Sequence, residues 1–347
     1  MADDVMSVAD ALELVGKGKA VVYDNSILKT TAECPTKAFV EHAMHKRPRG
    51  LALPLLNGSA AHSAIAHWLD CGMTETATAE AMELFTGLYL PMWVKAQQAD
   101  EQLADDDRMN FKRCASILEQ WLANRSVTST QPFPFVVMEG KTERALVARL
   151  GMTLKDGREV LYSAKLDAQV RKQDSGVKWS MDHKTCKGPV SDWWTGKQKV
   201  SSQFTGQVWV CEAAGDPVGG VIVNAIEYPK PHTSTNKCPV HKIPYVECSV
   251  RHAGGTYVYV TRNPAETDAW LFTVKRRVRE MERLTRIAED QGWDGLASVE
   301  MRGRFNECCT FCELKQWCDN GRPTGAAQLK AGFEEYHWNP LEEDAEA

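Results

Sequence analysis

Asp167 in KLDAQV and Asp182 in SMDHKT are carboxylates carried by short segments rich in Val, Leu and Met. If the segments are neighbouring strands, both acids sit at strand ends and converge on one point. Carboxylates presented this way suit Mg2+ or Mn2+, which take oxygen ligands and keep water in their remaining positions. Lys184 comes two residues after Asp182 and therefore projects from the same face of the strand. An ammonium there orients an attacking water and stabilises the negative charge that grows on a phosphate. Together these groups have the chemistry of metal-dependent phosphodiester hydrolysis. A D-x-K triplet alone is also a common solvated strand edge; the apolar flanks VKWSM and LYSAKL argue for core strands instead. Glu139, at the end of PFPFVVME, is either a further acid of this group or an ordinary turn residue.

A second chemistry lies near the end of the chain, in ECCTFCELKQWC. Cys309, Cys312 and Cys318 form C-x2-C-x5-C. Thiolates in such a group bind an iron–sulfur cluster or Zn2+, and both prefer four protein ligands. The fourth is either local, at Cys308, or remote. Cys238, His241, Cys248 and His252 are spaced as a conceivable separate zinc site. Cys71, Cys114 and Cys186 lie in apolar or strand contexts and are expected to be buried.

The elements that position these groups follow from periodicity. From about 59 to 124, apolar residues recur at spacings of three and four, the mark of helices. PFPFVVME, RALVARLGMTL, EVLYSAKLDAQVR and VKWSMDHKT then read as three or four strands of a meander. SSQFTGQVWVCEAAG reads as a helix and VGGVIVNAIEY as a strand. Further strands are expected near VECSVR and TYVYVTR. A long basic helix runs from Pro264 to about Asp290, with its proline as first residue. Its apolar stripe is Leu271, Val274, Val278, Met281 and Leu284. Arg276, Arg279 and Arg283 line a solvated face, with phosphate contact as the lesser option. Helices, then strands, then a helix and a strand predict an α/β protein with a mixed sheet.

The totals fit a globular chain of 347 residues, 43% hydrophobic and 25% charged. The acidic start MADDVMSVAD has no signal-peptide order, and no apolar run is long enough for a membrane span. The expected location is therefore the cytoplasm, where the eleven cysteines stay reduced. The net charge of −5 speaks mildly against nucleic acid, yet its distribution is uneven. Between Lys165 and Lys199 there are eight Lys or Arg against four Asp, which permits a basic groove on an acidic protein.

Asp167 followed by D182-H-K184-T resembles the signature of the PD-(D/E)XK nuclease superfamily, RecB-like branch. N57-G-S-A-A-H62 resembles the G-x-x-x-H motif of that branch. Q207-V-W-V-C211 resembles its Q-x-x-x-Y motif, with Cys211 in place of Tyr and Gln203 offering a second register. Ala164 stands in the region where the family carries Gly. The resemblance implies a restriction-endonuclease-like mixed sheet flanked by helices. It also implies a Mg2+- or Mn2+-dependent DNA nuclease acting on single strands or DNA ends, an exonuclease of recombination, repair or phage DNA metabolism. In these roles His62, Asp167 and Asp182 hold the metal, Lys184 positions water and Gln207 orients substrate or water. A non-cutting DNA-binding module and a zinc-stabilised structural protein are the alternatives.

Iron–sulfur members of the same branch, AddB-type helicase–nuclease subunits and the CRISPR-adaptation exonucleases, carry one Cys before the nuclease core and three after it. S26-I-L-K-T-T-A-E-C34-P resembles their opening, so the implied 4Fe–4S ligands are Cys34, Cys309, Cys312 and Cys318. Zn2+ at the same thiols is the alternative metal, and Cys308 the alternative ligand. No G-x-x-x-x-G-K-[ST] phosphate loop occurs, so a helicase or recombinase partner would be a separate chain. The expected layout is one integrated domain in four parts. A helical part spans 1–130, the nuclease core 131–263, the basic helix with the cysteine clasp 264–325, and an acidic tail 326–347.

Overall fold

The computed structural model describes residues 5–49, 53–99, 109–187, 190–228, 255–300, 309, 312–322 and 331–341. In chain order, β1 (Val5–Met6), α1 (Val8–Gly16), β2 (Ala20–Tyr23), α2 (Asn25–Glu33), α3 (Pro35–Ala38) and β3 (Lys46–Pro48) come first. The helices α4 (Leu53–Asp70), α5 (Glu75–Ala99) and α6 (Phe111–Arg125) follow. Next come β4 (Phe135–Thr153), β5 (Glu159–Lys172), β6 (Lys178–Lys187), α7 (Asp192–Lys199), α8 (Ser202–Ala213) and β7 (Val221–Tyr228). The last are β8 (Gly255–Val260), α9 (Pro264–Gln291), α10 (Lys315–Asp319) and β9 (Phe333–Glu335).

A seven-stranded sheet runs in the order β1-β4-β5-β6-β7-β8, with β2 also on β5. Pairing is antiparallel except for β2 on β5 and β6 on β7, so the sheet is mixed as expected. The parallel pair β6/β7 needs a crossover, and α7 with α8 supplies it. The segments PFPFVVME and RALVARLGMTL form one strand, β4, whose pairing shifts register between Val137 and Thr142. The N-terminal stretch is less helical than its composition suggests, because β1 and β2 join the sheet. The expected strand near VECSVR lies outside the described residues.

Helices cover the sheet in separate apolar clusters. Trp68 on α4, Phe85 and Tyr89 on α5, and Trp121 on α6 pack with Ala168, Met181 and Ile222. Trp270, Val274, Val278 and Met281 on α9 pack with Leu146, Val160, Tyr162 and Leu166. The α9 start follows its sequence: Asn263 caps Glu266, Glu266 reaches back to the Asn263 backbone, and Pro264 is first. Arg283 pairs with Glu280 as a solvated helix face would, whereas Arg279 pairs with Glu282, which is buried.

The two ends of the chain meet. β3 pairs with β9 in a separate small sheet, Thr36 donates to the Glu300 carbonyl at 3.0 Å, and Trp338 donates to Asp24 at 3.0 Å.

Candidate active site

β5 and β6 run antiparallel with Ala168 opposite Met181, so Asp167 and Asp182 occupy the next step on each strand. Both are buried. Leu166 and Ala168 should share a face in a regular strand, yet they belong to different apolar clusters. The strand thus changes its packing partners at Asp167. Opposite this point β4 is also irregular, and Glu143 has a φ of 47°, a left-handed conformation that non-glycine residues rarely adopt. Here the irregularity brings a carboxylate to the centre: Glu143, Asp167 and His62 place one ligand atom each within 4.8 Å of one another.

His62 reaches this point from α4, whose opposite side is buried through Ala60, Ala61 and Ala64. Its Nδ1 lies 3.4 Å from Asp167 Oδ2, and the His183 backbone N–H donates to the same oxygen at 2.6 Å. Burial opposes a charged His62, but the Asp167 carboxylate outweighs it and lifts the His62 pKa to about 9. Burial alone would raise Asp167; the imidazolium of His62 instead holds it below the usual carboxylate range. Burial also raises Glu143, to which the charge of Asp167 adds, while Lys165 Nζ pairs with it at 2.6 Å.

Asp182 has a different environment. Gln203 and Gln207, one helical turn apart on α8, both donate to its Oδ1, at 2.8 and 3.1 Å. Its Oδ2 is paired with the Lys184 ammonium, whose Nζ lies 2.8 Å away. Burial pushes the Asp182 pKa up; Lys184 opposes this and Asp167 adds to it. Burial works against the charge on Lys184, yet Asp182 and Asp167 together raise it. His183 is pushed down to about 4 by burial and is neutral at pH 7. The α8 helix approaches closely because Gly206 faces the sheet, where a Cβ would stand 2.0 Å from Tyr162 Oη.

The donor set fits a hard divalent ion: two carboxylates and an imidazole converge, and the buried Asp182–Lys184 pair stands beside them. The structure therefore brings together His62, Asp167, Asp182, Lys184, Gln203 and Gln207, including both registers of the glutamine motif. It does not bring Glu139, which is exposed beside the β4 register shift. Glu143, four residues later, is the acid that joins. Charged KTER reads as a turn, so only the bent strand reveals Glu143. Cys211, in the position of the motif tyrosine, is buried in the core, where burial pushes its thiol up to about 12.

Cys34 is buried between α2 and α3, and Cys309, Cys312 and Cys318 are partly exposed. Burial raises the Cys318 thiol to about 11, with Cys312, Cys34 and Cys309 adding to the rise. Cys312 is raised in the same way, by burial and then by Cys34 and Cys309. The thiols act on one another electrostatically, but among the described residues no three of them converge within 4.8 Å as the His62 group does. Cys308, and the set Cys238, His241, Cys248 and His252, lie outside the described residues. Cys114 and Cys186 are buried as expected, but Cys71 is exposed. It follows the last residue of α4, where left-handed Gly72 turns the chain away from the apolar stripe.

Comparison with known proteins yields little at the level of individual relatives. No curated protein matches the chain. A solved structure titled "Crystal structure of SSO0001" is similar at 9% identity and a TM-score of 0.30, over 85% of this chain and 95% of that one. No helix among the described residues is long and apolar enough to cross a membrane. The family model for the PD-(D/E)XK nuclease superfamily matches residues 25–319 and so spans the entire group around Asp167 and Asp182. The chain belongs to the PD-(D/E)XK nuclease superfamily.

Proposed function

We propose that this nuclease is a Mg2+- or Mn2+-dependent deoxyribonuclease of the RecB-like branch that degrades DNA from an end. The observation that carries the reading is the convergence of His62, Glu143 and Asp167 beside the Asp182–Lys184 pair. His62, Glu143, Asp167 and Asp182 are the ligands. A bound Mg2+ or Mn2+ supplies an acidified water and neutralises charge growing on the scissile phosphate. Lys184 would donate an N–H hydrogen bond that orients the attacking water. Gln203 and Gln207 hold Asp182 Oδ1, which leaves Oδ2 to Lys184.

An unpaired strand end suits the surroundings. Trp193 on α7 is 75% exposed, and Lys197 Nζ lies 5.6 Å from its ring centroid. An exposed indole beside a cation is what stacking of an unpaired base uses. Cys34, Cys309, Cys312 and Cys318 hold a 4Fe–4S cluster that closes the two chain ends over the nuclease core; Zn2+ is the competing occupant. A helicase or recombinase, where one takes part, is a separate cytoplasmic chain. The four parts, 1–130, 131–263, 264–325 and 326–347, act as one integrated domain. The burial of Cys211 in place of the motif tyrosine favours one other reading, a DNA-binding module that does not cut.

Digestion of single- and double-stranded DNA labelled at either end decides between them. The proposal expects short products released from one labelled end, fastest on single strands, with Mg2+ or Mn2+. Binding without product under every metal condition would establish the non-cutting module, and internal cuts would replace the exonuclease by an endonuclease.

A further inference from the structure

His67, Cys71 and Glu80 form a second group of converging donors, outside the nuclease centre, with one ligand atom each within 4.8 Å of the others. His67 and Cys71 are four apart, so the turn of α4 that ends at Asp70 stacks them on one face. Glu80 comes from α5 across the helix hairpin. The hairpin is firmly built: Trp68 is fully buried and donates to Thr78 at 3.1 Å, and Ala77 and Ala81 are buried between the helices. The three donors themselves are accessible, since Cys71 and Glu80 are exposed and His67 is partly so.

Their donor atoms all lie within 4.8 Å of one another, near enough for one small ion to reach all three after side-chain rotation. A tetrahedral Zn2+ with N, S and O ligands at about 2.05, 2.3 and 2.0 Å has an N···O edge of about 3.3 Å and an N···S edge of about 3.6 Å. The observed His67 Nε2···Glu80 Oε2 distance is 3.2 Å and His67 Nε2···Cys71 Sγ is 3.6 Å. Cys71 Sγ also lies 3.9 Å from His67 Nδ1, so the thiol stands alongside the ring and turns toward the Nε2 edge when an ion binds there. Helix stacking alone accounts for the His67–Cys71 distance; what points to an ion is that a carboxylate from a second helix joins the imidazole and the thiol.

We propose that His67, Cys71 and Glu80 bind one Zn2+, with water in the fourth position. Thiolate and imidazole select zinc over Mg2+, which needs oxygen ligands in near-octahedral array. On binding, the Cys71 thiol releases its proton to solvent, His67 ligates as neutral imidazole, and no redox change occurs. The ion staples the end of α4 to α5. It thereby fixes the helix that presents His62, without entering the catalytic group. The site is independent of the nuclease reading and of the other cysteines.

The test uses the full chain with its other metal sites intact, and compares wild type with Cys71→Ser, Glu80→Gln and His67→Ala. Zn2+ is titrated in competition with a chromophoric chelator, and Co2+ is added as a spectroscopic probe. Wild type should hold one more zinc than Cys71→Ser, with at least about 100-fold weaker binding at this site in each variant. The Co2+ complex of wild type should show a thiolate charge-transfer band whose intensity falls in Cys71→Ser. Zinc should raise the melting temperature of wild type and leave that of Cys71→Ser unchanged, while DNA cutting with Mn2+ is the same in both. Equal zinc stoichiometry and affinity in wild type and all three variants, or an unchanged Co2+ band in Cys71→Ser, would overturn the proposal. If Cys71→Ser fails to fold, the zinc affinities of Glu80→Gln and His67→Ala decide by the same criterion. If wild type cuts no DNA, the nuclease reading fails and the zinc measurements stand unaffected.

Discussion

Replacing Asp182 by Asn should move stability and catalysis in opposite directions. Asn keeps the shape and one oxygen for the Gln203 and Gln207 donors, and removes the charge. In the folded, metal-free chain burial holds the Asp182 carboxyl above its ordinary value of 3.8. A raised folded pKa means that the folded state binds the proton more tightly than the unfolded chain. The ionised carboxylate therefore costs stability, not at all below pH 3.8, progressively through the interval, and fully above the folded pKa. Asn relieves that cost at pH 7, a balance in which the opposing pull of Lys184 is already included. A net gain of about 1–2 kcal/mol follows, the usual size for neutralising a destabilising active-site group. Cutting should collapse. A ligand of a bound divalent ion that contributes about 4 kcal/mol to the barrier is worth roughly a thousandfold in rate. The assay pairs thermal unfolding in EDTA with single-turnover cutting at saturating Mn2+. A variant that cuts within tenfold of wild type, or is markedly less stable without metal, would show that Asp182 has a structural role only.

Other outcomes follow from individual contacts. Gly206→Ala, which stabilises an ordinary helix interior by about 1 kcal/mol, should here destabilise by about 1–3 kcal/mol in denaturant unfolding, because Tyr162 and Trp270 occupy the space; a stabilised variant would mean that α8 does not seat against the sheet. His62 is protonated at pH 7.5 when its pKa is about 9, so Mn2+ binding through its ring should release close to one proton, and none above about pH 10. Calorimetry in buffers of different ionisation heat reads this, and a buffer-independent heat would remove His62 from the ligands. Without metal the His62–Asp167 pair should stabilise the fold fully near pH 6 and progressively less as pH rises through 9, since a raised histidine pKa favours folding only while the ring is charged. Cys34→Ser should lose visible absorbance and melting temperature together, while Cys308→Ser should change neither; the reverse pattern would make Cys308 the fourth ligand.

Much of the site is legible because it follows alternation in regular strands. Asp182 and Lys184 share a face by period two, and Asp167 is placed by the antiparallel neighbour. His62 and the two glutamines are ordinary helix residues by pattern, and only the family motifs single them out. Glu143 escapes both routes. Its side chain reaches the centre through a left-handed residue in a bent strand, and bends that depend on tertiary packing leave no periodic trace. β1 and β2 are too short for alternation to register, and they are strands because β4 and β5 offer open edges. Cys71 has an apolar helix before it, but its exposure is fixed by the turn after α4 rather than by composition.

The central claim is that this buried group of acids cuts DNA only with a divalent ion in place. The rate of loss of end-labelled single-stranded DNA against Mn2+ concentration tests it most directly. No cutting is expected in EDTA, with a rate that rises and saturates with Mn2+ and a right-shifted curve for Glu143→Gln. Cutting that persists in EDTA, or a Glu143→Gln curve that overlies wild type, would contradict it.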